Sequence, residues 1–299
     1  MPRVPDLLAR DYGAIAYVLS PYLWAGGITL LHGKTSVGKS PLSWSMAQAV
    51  ASGTSWLGHP VTPGPVLYVE SDTAAGPVGE MMLQPRLRHV PSPHPDWWLE
   101  CVGSFNICFP GDPVRYALAK RAAEVKPALV ILNTLREIHT GDDIKSQTPQ
   151  AVYRALREVF GPVALLVIHH DHKVPHEGSQ RDPRESFAGS AAWLNHAQVG
   201  LHLVQAGTDD HTLALYHTKT QVTAKVPPLY LRLAPDGTTL TRLSDDKGAV
   251  VRAYEALPAT LGATARVEAV AEQYGLSVSS VWRALKLKPL ATPPREPGP

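Results

Sequence analysis

A strand that runs into a glycine-rich loop is the feature that constrains this chain most. Residues 28–40 read ITLLHGKTSVGKS, so an apolar run leads into a segment that fits the pattern G-x-x-x-x-G-K-[ST]. Glycine lets a tight loop bring its backbone N–H groups onto a phosphate without a clash from Cβ. The pattern therefore predicts a strand, a phosphate-binding loop and a helix over 40–51 whose positive end faces the same anion.

The loop assigns chemical roles to two side chains. Lys39 is expected to reach the β- and γ-phosphates, and Ser40 is expected to offer its hydroxyl to Mg²⁺. The expected cofactors are therefore ATP and Mg²⁺. The predicted nucleotide-binding residues are Gly33, Lys34, Thr35, Ser36, Val37, Gly38, Lys39, Ser40 and Pro41.

Composition indicates the class of protein but not its partners. The chain has 299 residues, of which 44% are hydrophobic and 18% charged, enough for one large domain and a small one. A net charge of +2 does not by itself predict a nucleic-acid partner. Two cysteines and the lack of a signal peptide predict reduced thiols in a cytoplasmic protein, and the lack of a long apolar run predicts no membrane partner.

The order of apolar runs and helical patterns predicts an α/β fold. Continuous apolar strands joined by helices favour a mostly parallel sheet covered on both faces, with an antiparallel extension at one edge. A first helix is expected over 12–20, where Pro21 would end it. The strands expected after the loop are 66–69, 98–102, 129–132, 163–168, 199–204, 212–218 and 229–233, and the helices are 79–88, 113–125 and 148–160.

Two carboxylates follow the second strand of this pattern. Glu70 and Asp72 are separated by one residue, so strand alternation places them on the same face. At the end of a strand beside the phosphate loop, one of them could orient or deprotonate an attacking water. Both are therefore predicted catalytic residues, although acids at a strand end are often only part of a solvated turn.

Asn133 ends the next apolar strand, where a P-loop enzyme normally has an aspartate that holds the water shell of Mg²⁺. An amide keeps one acceptor oxygen but loses the charge, so the ion is expected to be held less firmly. Three explanations stay open. They are an engineered trap variant, a natural ATPase that switches rather than cycles, and compensation by a nearby acid such as Glu137, Asp142 or Asp143.

A polar cluster, HHDHK, follows the strand predicted at 163–168. His170 in this cluster is predicted to hydrogen-bond the γ-phosphate and to report its presence to the following loop. A metal site is the alternative, but consecutive residues point apart and no cysteine or glutamate completes a set.

A long polar stretch follows the cluster, from 174 to 190. Loops of this length inside a domain are usually functional or disordered. Lys173, Arg181 and Arg184 are predicted to contact the phosphate backbone of DNA, and a merely mobile loop is the alternative.

The tail predicts a helix-turn-helix over 267–285. Gly275 would make the turn and Ser277 would cap the second helix. Ser279, Ser280 and Arg283 would then face DNA, while Lys286 and Lys288 would contact phosphates. The alternative is a helical packing module for partner subunits. The resulting division is a leader helix at 1–20, an ATPase domain at 21–244, this domain at 245–288, and a disordered tail at 289–299.

The motifs in this order resemble the RecA-type ATPases, and within them the RepA-like hexameric replicative helicases of plasmids and phages. The similarity spans 21–243. It is carried by the P-loop, VLYVESD, LVILNTLR, VIHHDHK, GSAA at 189–192 and YHTKTQ at 216–221. The resemblance implies a RecA-like core, a catalytic acid at Asp72, a γ-phosphate sensor at His170 and a DNA-facing loop after Lys173.

Two departures from the family pattern bear on the motor function. Asn133 replaces the usual aspartate, and Gln221 stands where the family often has an arginine, in a Lys-x-Arg pattern that reaches a neighbouring subunit's nucleotide. Lys219 of that pattern is retained, so Lys219 and Gln221 are the predicted inter-subunit residues. The resemblance implies a DNA-dependent ATPase that forms a homo-oligomeric ring or filament. The alternative is a DNA-bound, ATP-dependent switch with weak or no hydrolysis.

Overall fold

The structure is a computed structural model that describes residues 3–9, 11, 14–171, 192–206, 211–243, 254, 257–258, 260–274 and 277–285. Its strands are β1 Tyr17–Leu19, β2 Leu23–Trp24, β3 Ile28–Gly33, β4 Val66–Glu70, β5 Trp97–Cys101, β6 Leu129–Asn133, β7 Ala164–His170, β8 Val199–Gln205, β9 Thr212–Thr220, β10 Leu229–Leu233 and β11 Leu240–Arg242. Its helices are α1 Val4–Leu8, α2 Lys39–Ser52, α3 Pro77–Leu87, α4 Pro113–Val125, α5 Gln147–Phe160, α6 Ala192–His196, α7 Ala263–Tyr274 and α8 Val278–Ala284.

Nine of the strands form one mixed sheet. Its order is β11-β10-β9-β8-β3-β7-β6-β4-β5. The six strands from β8 to β5 pair in parallel, whereas β8, β9, β10 and β11 pair antiparallel in succession. A mixed sheet with helices, as expected from the continuous apolar runs, is confirmed. The carboxyl ends of β3, β4, β6 and β7 lie side by side, so the polar residues that end these strands meet at one edge.

Helices cover both faces of the sheet. Leu42 and Met46 of α2 and Leu83 of α3 pack with side chains such as Tyr68 on one face. Leu118 of α4 and Val152, Tyr153 and Leu156 of α5 pack on the other face, against Leu67, Val69, Val130 and Leu132. Because both faces are buried, the central strands are apolar along their whole length, and only their ends are free for polar residues.

The helix expected over 12–20 is wrong for the part that the structure describes. Tyr17–Leu19 is instead a strand that pairs antiparallel with Leu23–Trp24. Val18 and Leu19 are buried, and the Val18 carbonyl accepts a hydrogen bond from the Thr62 N–H at 2.9 Å. This tertiary partner decides the conformation of a short segment whose own pattern is ambiguous.

Two helices pack together near the C-terminal end of the chain. α7 and α8 share a small core of Val267, Val270, Ala271, Val281 and Trp282. The hydroxyl of Ser277 accepts a hydrogen bond from the Ser280 N–H at 3.1 Å, so the predicted helix cap is present. Gly275, the predicted turn residue, lies outside the described residues, as do Lys286, Lys288 and the tail at 289–299.

In the described parts of the chain, no helix is both long and apolar enough to cross a lipid bilayer.

Candidate functional site

The glycine-rich loop lies between β3 and α2, as its motif predicts. Gly38 has a φ of +103°, a conformation that side chains rarely adopt. A Cβ on Gly33 would clash with the Leu203 carbonyl oxygen of β8. The first glycine is therefore required by the neighbouring strand, and the second by the backbone turn that starts the helix.

Lys39 is held in place by the loop itself. Its side-chain nitrogen donates to the carbonyl oxygens of Gly33 and Lys34, both at 2.8 Å, and lies 3.2 Å from Nδ1 of His170. Lys39 is only 5% exposed, and this burial lowers the pKa of its ammonium to about 8. The nearby carboxylates of Asp171 and Asp72 oppose that shift, so the cation is retained at neutral pH beside a cavity suited to anions.

The cavity next to Lys39 measures about 420 Å³ and opens at the carboxyl ends of the strands. It receives residues from the P-loop and the start of α2, from the segment after β4, from α3, from the ends of β6 and β7, and from β10 and the turn after it. The lining consists of Thr35, Ser36, Gly38, Lys39, Ser40, Pro41, Asp72, Arg86, Asn133, His170, Leu233 and Gly237. Six of the nine loop residues predicted to bind nucleotide are in this lining; Gly33, Lys34 and Val37 are not.

The two acids after β4 occupy different environments. Asp72 is exposed and lines the cavity, whereas Glu70 is 1% exposed and does not. The two side chains therefore do not both reach the cavity, as a shared face would require, because β4 ends at Glu70 and the backbone turns before Asp72. Asp72 is the acid placed to meet a ligand, and Glu70 lies in the layer of side chains behind it.

Glu70 and Asn133 form a buried pair. The Asn133 amide nitrogen donates to Glu70 Oε2 at 2.7 Å, and the Asp72 N–H donates to Glu70 Oε1 at 2.9 Å. Burial raises the pKa of the Glu70 carboxyl to about 7, although these two hydrogen bonds oppose the shift. Because the amide nitrogen of Asn133 faces Glu70, its oxygen is the atom left for the cavity.

The structure identifies which acid accompanies Asn133. Glu137 accepts a hydrogen bond from the Ser104 hydroxyl, Asp142 accepts one from the Ile144 N–H at 3.0 Å, and Asp143 lies 3.2 Å from His139 Nε2. None of these three acids is among the described residues that line the cavity. These contacts do not support the explanation that one of the three acids compensates for Asn133, and the carboxylate in contact with Asn133 is Glu70.

The polar cluster at the end of β7 separates into three environments. His170 lines the cavity, and burial together with Lys39 lowers the pKa of its ring. In the neutral tautomer that carries its proton on Nε2, the His170 ring can donate to a phosphate oxygen. A phosphate oxygen can then replace Nδ1 as the third acceptor of the Lys39 ammonium. His169 is buried with its ring centroid 6.0 Å from that of Trp193, and Asp171 contacts His32 and His202. His172 and Lys173 lie outside the described residues.

Lys219 already has partners within the chain. Its ammonium donates to the carbonyl oxygens of Leu194, Asn195 and Ala197, at 2.9, 2.6 and 2.6 Å. These carbonyls lie at the end of α6, where a cation is favourable. An ammonium has three donors, so contact with a neighbouring subunit would require Lys219 to leave this arrangement. Gln221 is exposed.

The residues predicted to bind DNA are only partly described. Lys173, Arg181 and Arg184 lie outside the described residues. On α8, Ser279 and Arg283 are exposed, while Ser280 is half-buried and its hydroxyl lies 2.7 Å from that of Ser277.

Three lining residues were not found from the sequence. Arg86 comes from α3, where its guanidinium lies 4.9 Å from the centroid of the Trp44 ring. Leu233 and Gly237 come from the antiparallel extension, so that β10 and the turn after it form one wall of the cavity. The two arginines of the helix predicted over 79–88 were a weak signal for Arg86, and nothing local marked the other two.

The donor set of the cavity fits Mg²⁺. Ser40 offers a hydroxyl, Asn133 an amide oxygen and Asp72 a carboxylate, and oxygen atoms are the ligands that this ion takes. When bound, the ion would neutralise charge on the phosphates that Lys39 also faces. With one carboxylate in the lining instead of two, we expect the protein to contribute less of the ion's affinity than the phosphates do.

The family of the chain follows from a comparison with family models. The AAA_25 model, described as an AAA domain, matches residues 13–176, more than half of the 299 residues. The chain belongs to the AAA_25 family. The matched region contains the P-loop, Asp72, Asn133 and His170, which are the parts of the AAA_25 domain that meet in the cavity.

Solved structures support the fold assignment. One structure, titled as an ATPase domain, is similar to this AAA_25 protein with a TM-score of 0.53 and 12% identity, covering 81% of this chain and 96% of that domain. In all, 478 solved chains match, so the fold alone does not select a function. No curated protein sequence matches the chain. The sheet, the P-loop and the family together are consistent with a RecA-like P-loop core.

Proposed function

We propose that this AAA_25 protein is a DNA-dependent ATPase that binds Mg-ATP in the cavity beside the P-loop. The observation that carries the proposal is the position of Lys39, a buried cation that is held by two loop carbonyls and lines the cavity together with Ser40, Asp72 and Asn133. In this proposal Asp72 orients the attacking water, and neutral His170 donates to the γ-phosphate. Glu70 sets the orientation of the Asn133 amide.

The resemblance to RepA-like proteins supplies the biological setting of the proposal. We infer a replicative helicase, or a related replication or recombination motor, of a plasmid, phage or other mobile element. Its subunits would form a homo-oligomeric ring or filament, with Lys219 and Gln221 at the subunit boundary. The likeness to the solved ATPase domain supports the ATPase part of this proposal.

DNA contacts are proposed at two places. The segment after Lys173, with Arg181 and Arg184, would contact single-stranded DNA. The paired helices α7 and α8 would contact duplex DNA as a helix-turn-helix, through Ser279, Ser280 and Arg283. Exposure of Arg283 on α8 agrees with a phosphate or base contact.

The first experiment is ATP turnover by the full-length protein with and without single-stranded DNA. The Lys39→Ala variant is the negative control because it removes the cation that faces the phosphates. An Asn133→Asp variant tests the missing carboxylate. The double variant Asn133→Asp/Glu70→Gln is measured beside it, because the single variant would place two carboxylates in contact.

DNA-stimulated turnover that Lys39→Ala abolishes would support the proposal. Turnover by the aspartate variants alone would support an ATPase weakened at position 133. Failure of the unmodified protein to bind ATP, measured with a fluorescent ATP analogue and Mg²⁺, would refute the proposal.

A DNA-bound nucleotide switch is the second candidate function. It is favoured by the Asn133 amide at the metal position and by Lys219, whose three donors are used within the chain. This candidate requires ATP-dependent assembly on DNA, measured by mass photometry, without measurable turnover. Strand unwinding with a defined polarity would refute it.

A further inference from the structure

A buried carboxylate between two histidines lies directly behind the P-loop. Asp171 Oδ1 lies 2.8 Å from His32 Nδ1, and Asp171 Oδ2 lies 2.9 Å from His202 Nε2. The two imidazole rings are stacked, with centroids 4.2 Å apart and planes 7° from parallel. The three side chains are 0%, 3% and 2% exposed for His32, Asp171 and His202. We call these three residues the histidine clamp.

The histidine clamp joins three neighbouring strands. His32 is on β3, Asp171 follows β7, and His202 is on β8, and these strands are adjacent in the order β8-β3-β7. His32 immediately precedes the first glycine of the P-loop, and Asp171 immediately follows His170. In addition, the Asp171 N–H donates to the Gly33 carbonyl at 3.1 Å. Any movement of the clamp therefore moves both the start of the P-loop and His170.

A metal ion is the first alternative for such a set, because its ligand atoms all lie within 4.8 Å of one another. A metal lies in the plane of each imidazole that binds it, at about 2.0–2.1 Å from the nitrogen for zinc. Two stacked, nearly parallel rings have no common point of that kind. The observed arrangement instead suits two N–H groups that donate to the two oxygens of one carboxylate.

We propose that the histidine clamp is a positioning device that holds His170 at the γ-phosphate end of the cavity and thereby sets the preference for ATP over ADP. The P-loop lysine reaches the β- and γ-phosphates, and His170 lies 3.2 Å from that lysine's nitrogen. ADP lacks the group that His170 would meet. The inference rests on the proposed nucleotide site and adds the residues that determine its selectivity.

The test uses a matched pair of substitutions at His202, measured in the full-length protein. In His202→Gln, the side-chain amide nitrogen replaces Nε2 and can still donate to Asp171. His202→Leu has a similar volume and no donor. The fluorescent analogues of ADP and of non-hydrolysable ATP give two dissociation constants for each variant, and thermal unfolding confirms that each is folded.

We expect His202→Leu to reduce the ratio of ATP to ADP affinity about tenfold, equal to about 1.4 kcal/mol, because a lost charge-assisted hydrogen bond lets His170 move. The affinity for ADP should change less than about twofold, and His202→Gln should keep the original ratio. Asp171→Asn is a second route if His202→Leu does not fold, since it keeps the shape, removes the carboxylate and should lower the same ratio.

Two results would overturn the proposal. One is an unchanged ratio in folded His202→Leu or Asp171→Asn, and the other is a stoichiometric metal, measured by mass spectrometry, that the native protein holds and His202→Leu loses. If the native protein binds neither nucleotide, the proposed function itself fails. If it binds both nucleotides and the variants keep the ratio, only the positioning role fails.

Discussion

Glu70→Gln should make the protein more stable, and increasingly so as the pH rises. The native side chain is 1% exposed, and burial raises the pKa of its carboxyl from 4.5 to about 7. A group whose pKa is higher in the folded state stabilises the fold fully below pH 4.5, and this contribution is lost as the pH rises to 7. A shift of this size corresponds to about 3 kcal/mol in the free energy of unfolding.

The glutamine variant has no charge to bury, so it should not show this loss. Urea unfolding followed by tryptophan fluorescence gives the free energy of each protein at several pH values from about 4.5 to about 8. The difference between variant and native protein cancels the other titrating groups and should grow by about 3 kcal/mol over that range. Glu80→Gln, on the exposed face of α3, is the control and should show no such growth.

A second readout concerns the metal position. The Asp72 N–H holds one oxygen of residue 70, so the amide nitrogen of the new glutamine would face Asn133. Asn133 would then turn its oxygen toward residue 70 and its nitrogen toward the cavity. We expect Mg²⁺ to increase ATP affinity less in this variant than in the native protein. A stability difference that stays constant across the same pH range would refute the reasoning about the buried charge.

Three further predictions concern single contacts in the fold. Asn133→Asp would put two carboxylates at the 2.7 Å contact, so the pair would retain a proton. In urea unfolding at about pH 8.5, this variant should have a free energy of unfolding about 2 kcal/mol below that of the native protein, and the difference should shrink at about pH 5.5. Adding Glu70→Gln should remove the difference. Lys219→Met should cost about 1–3 kcal/mol in urea unfolding, because three carbonyls lose their donor, whereas exposed Gln221→Ala should cost less than about 0.5 kcal/mol. Trp193→Ala, at a fully buried side chain, should lower the free energy of unfolding by about 3–5 kcal/mol. The same change at Trp98, which is 43% exposed, should lower it much less. Equal losses at the two tryptophans would contradict the packing described here.

The parts of the fold that could be predicted from sequence are those with local signals. The P-loop is encoded in eight consecutive residues, and the central strands are continuous apolar runs because helices cover both of their faces. Strand ends then placed Asp72, Asn133 and His170 beside Lys39. These predictions needed only the rule that the carboxyl ends of parallel strands meet at one edge.

The parts that could not be predicted depend on contacts between distant positions. Tyr17–Leu19 is a strand because a second short strand and Thr62 pair with it. His32 reads as one more residue of an apolar strand until Asp171, 139 positions later, lies 2.8 Å from its ring. The cavity wall from β10 follows from the order of the strands in the antiparallel extension.

The contact between Glu70 and Asn133 gives a structural reason for an asparagine at position 133. Taken alone, an amide at the end of β6 removes the charge that usually supports the metal ion. Glu70 lies at 2.7 Å on the adjacent strand end, so the two positions together hold one carboxylate. That carboxylate lies behind Asn133 and does not line the cavity. An aspartate at 133 could not be ionised beside an ionised Glu70 without strong repulsion. The asparagine is therefore the neutral partner that the buried glutamate requires, and the two positions have to be changed together to restore a charge at the metal position.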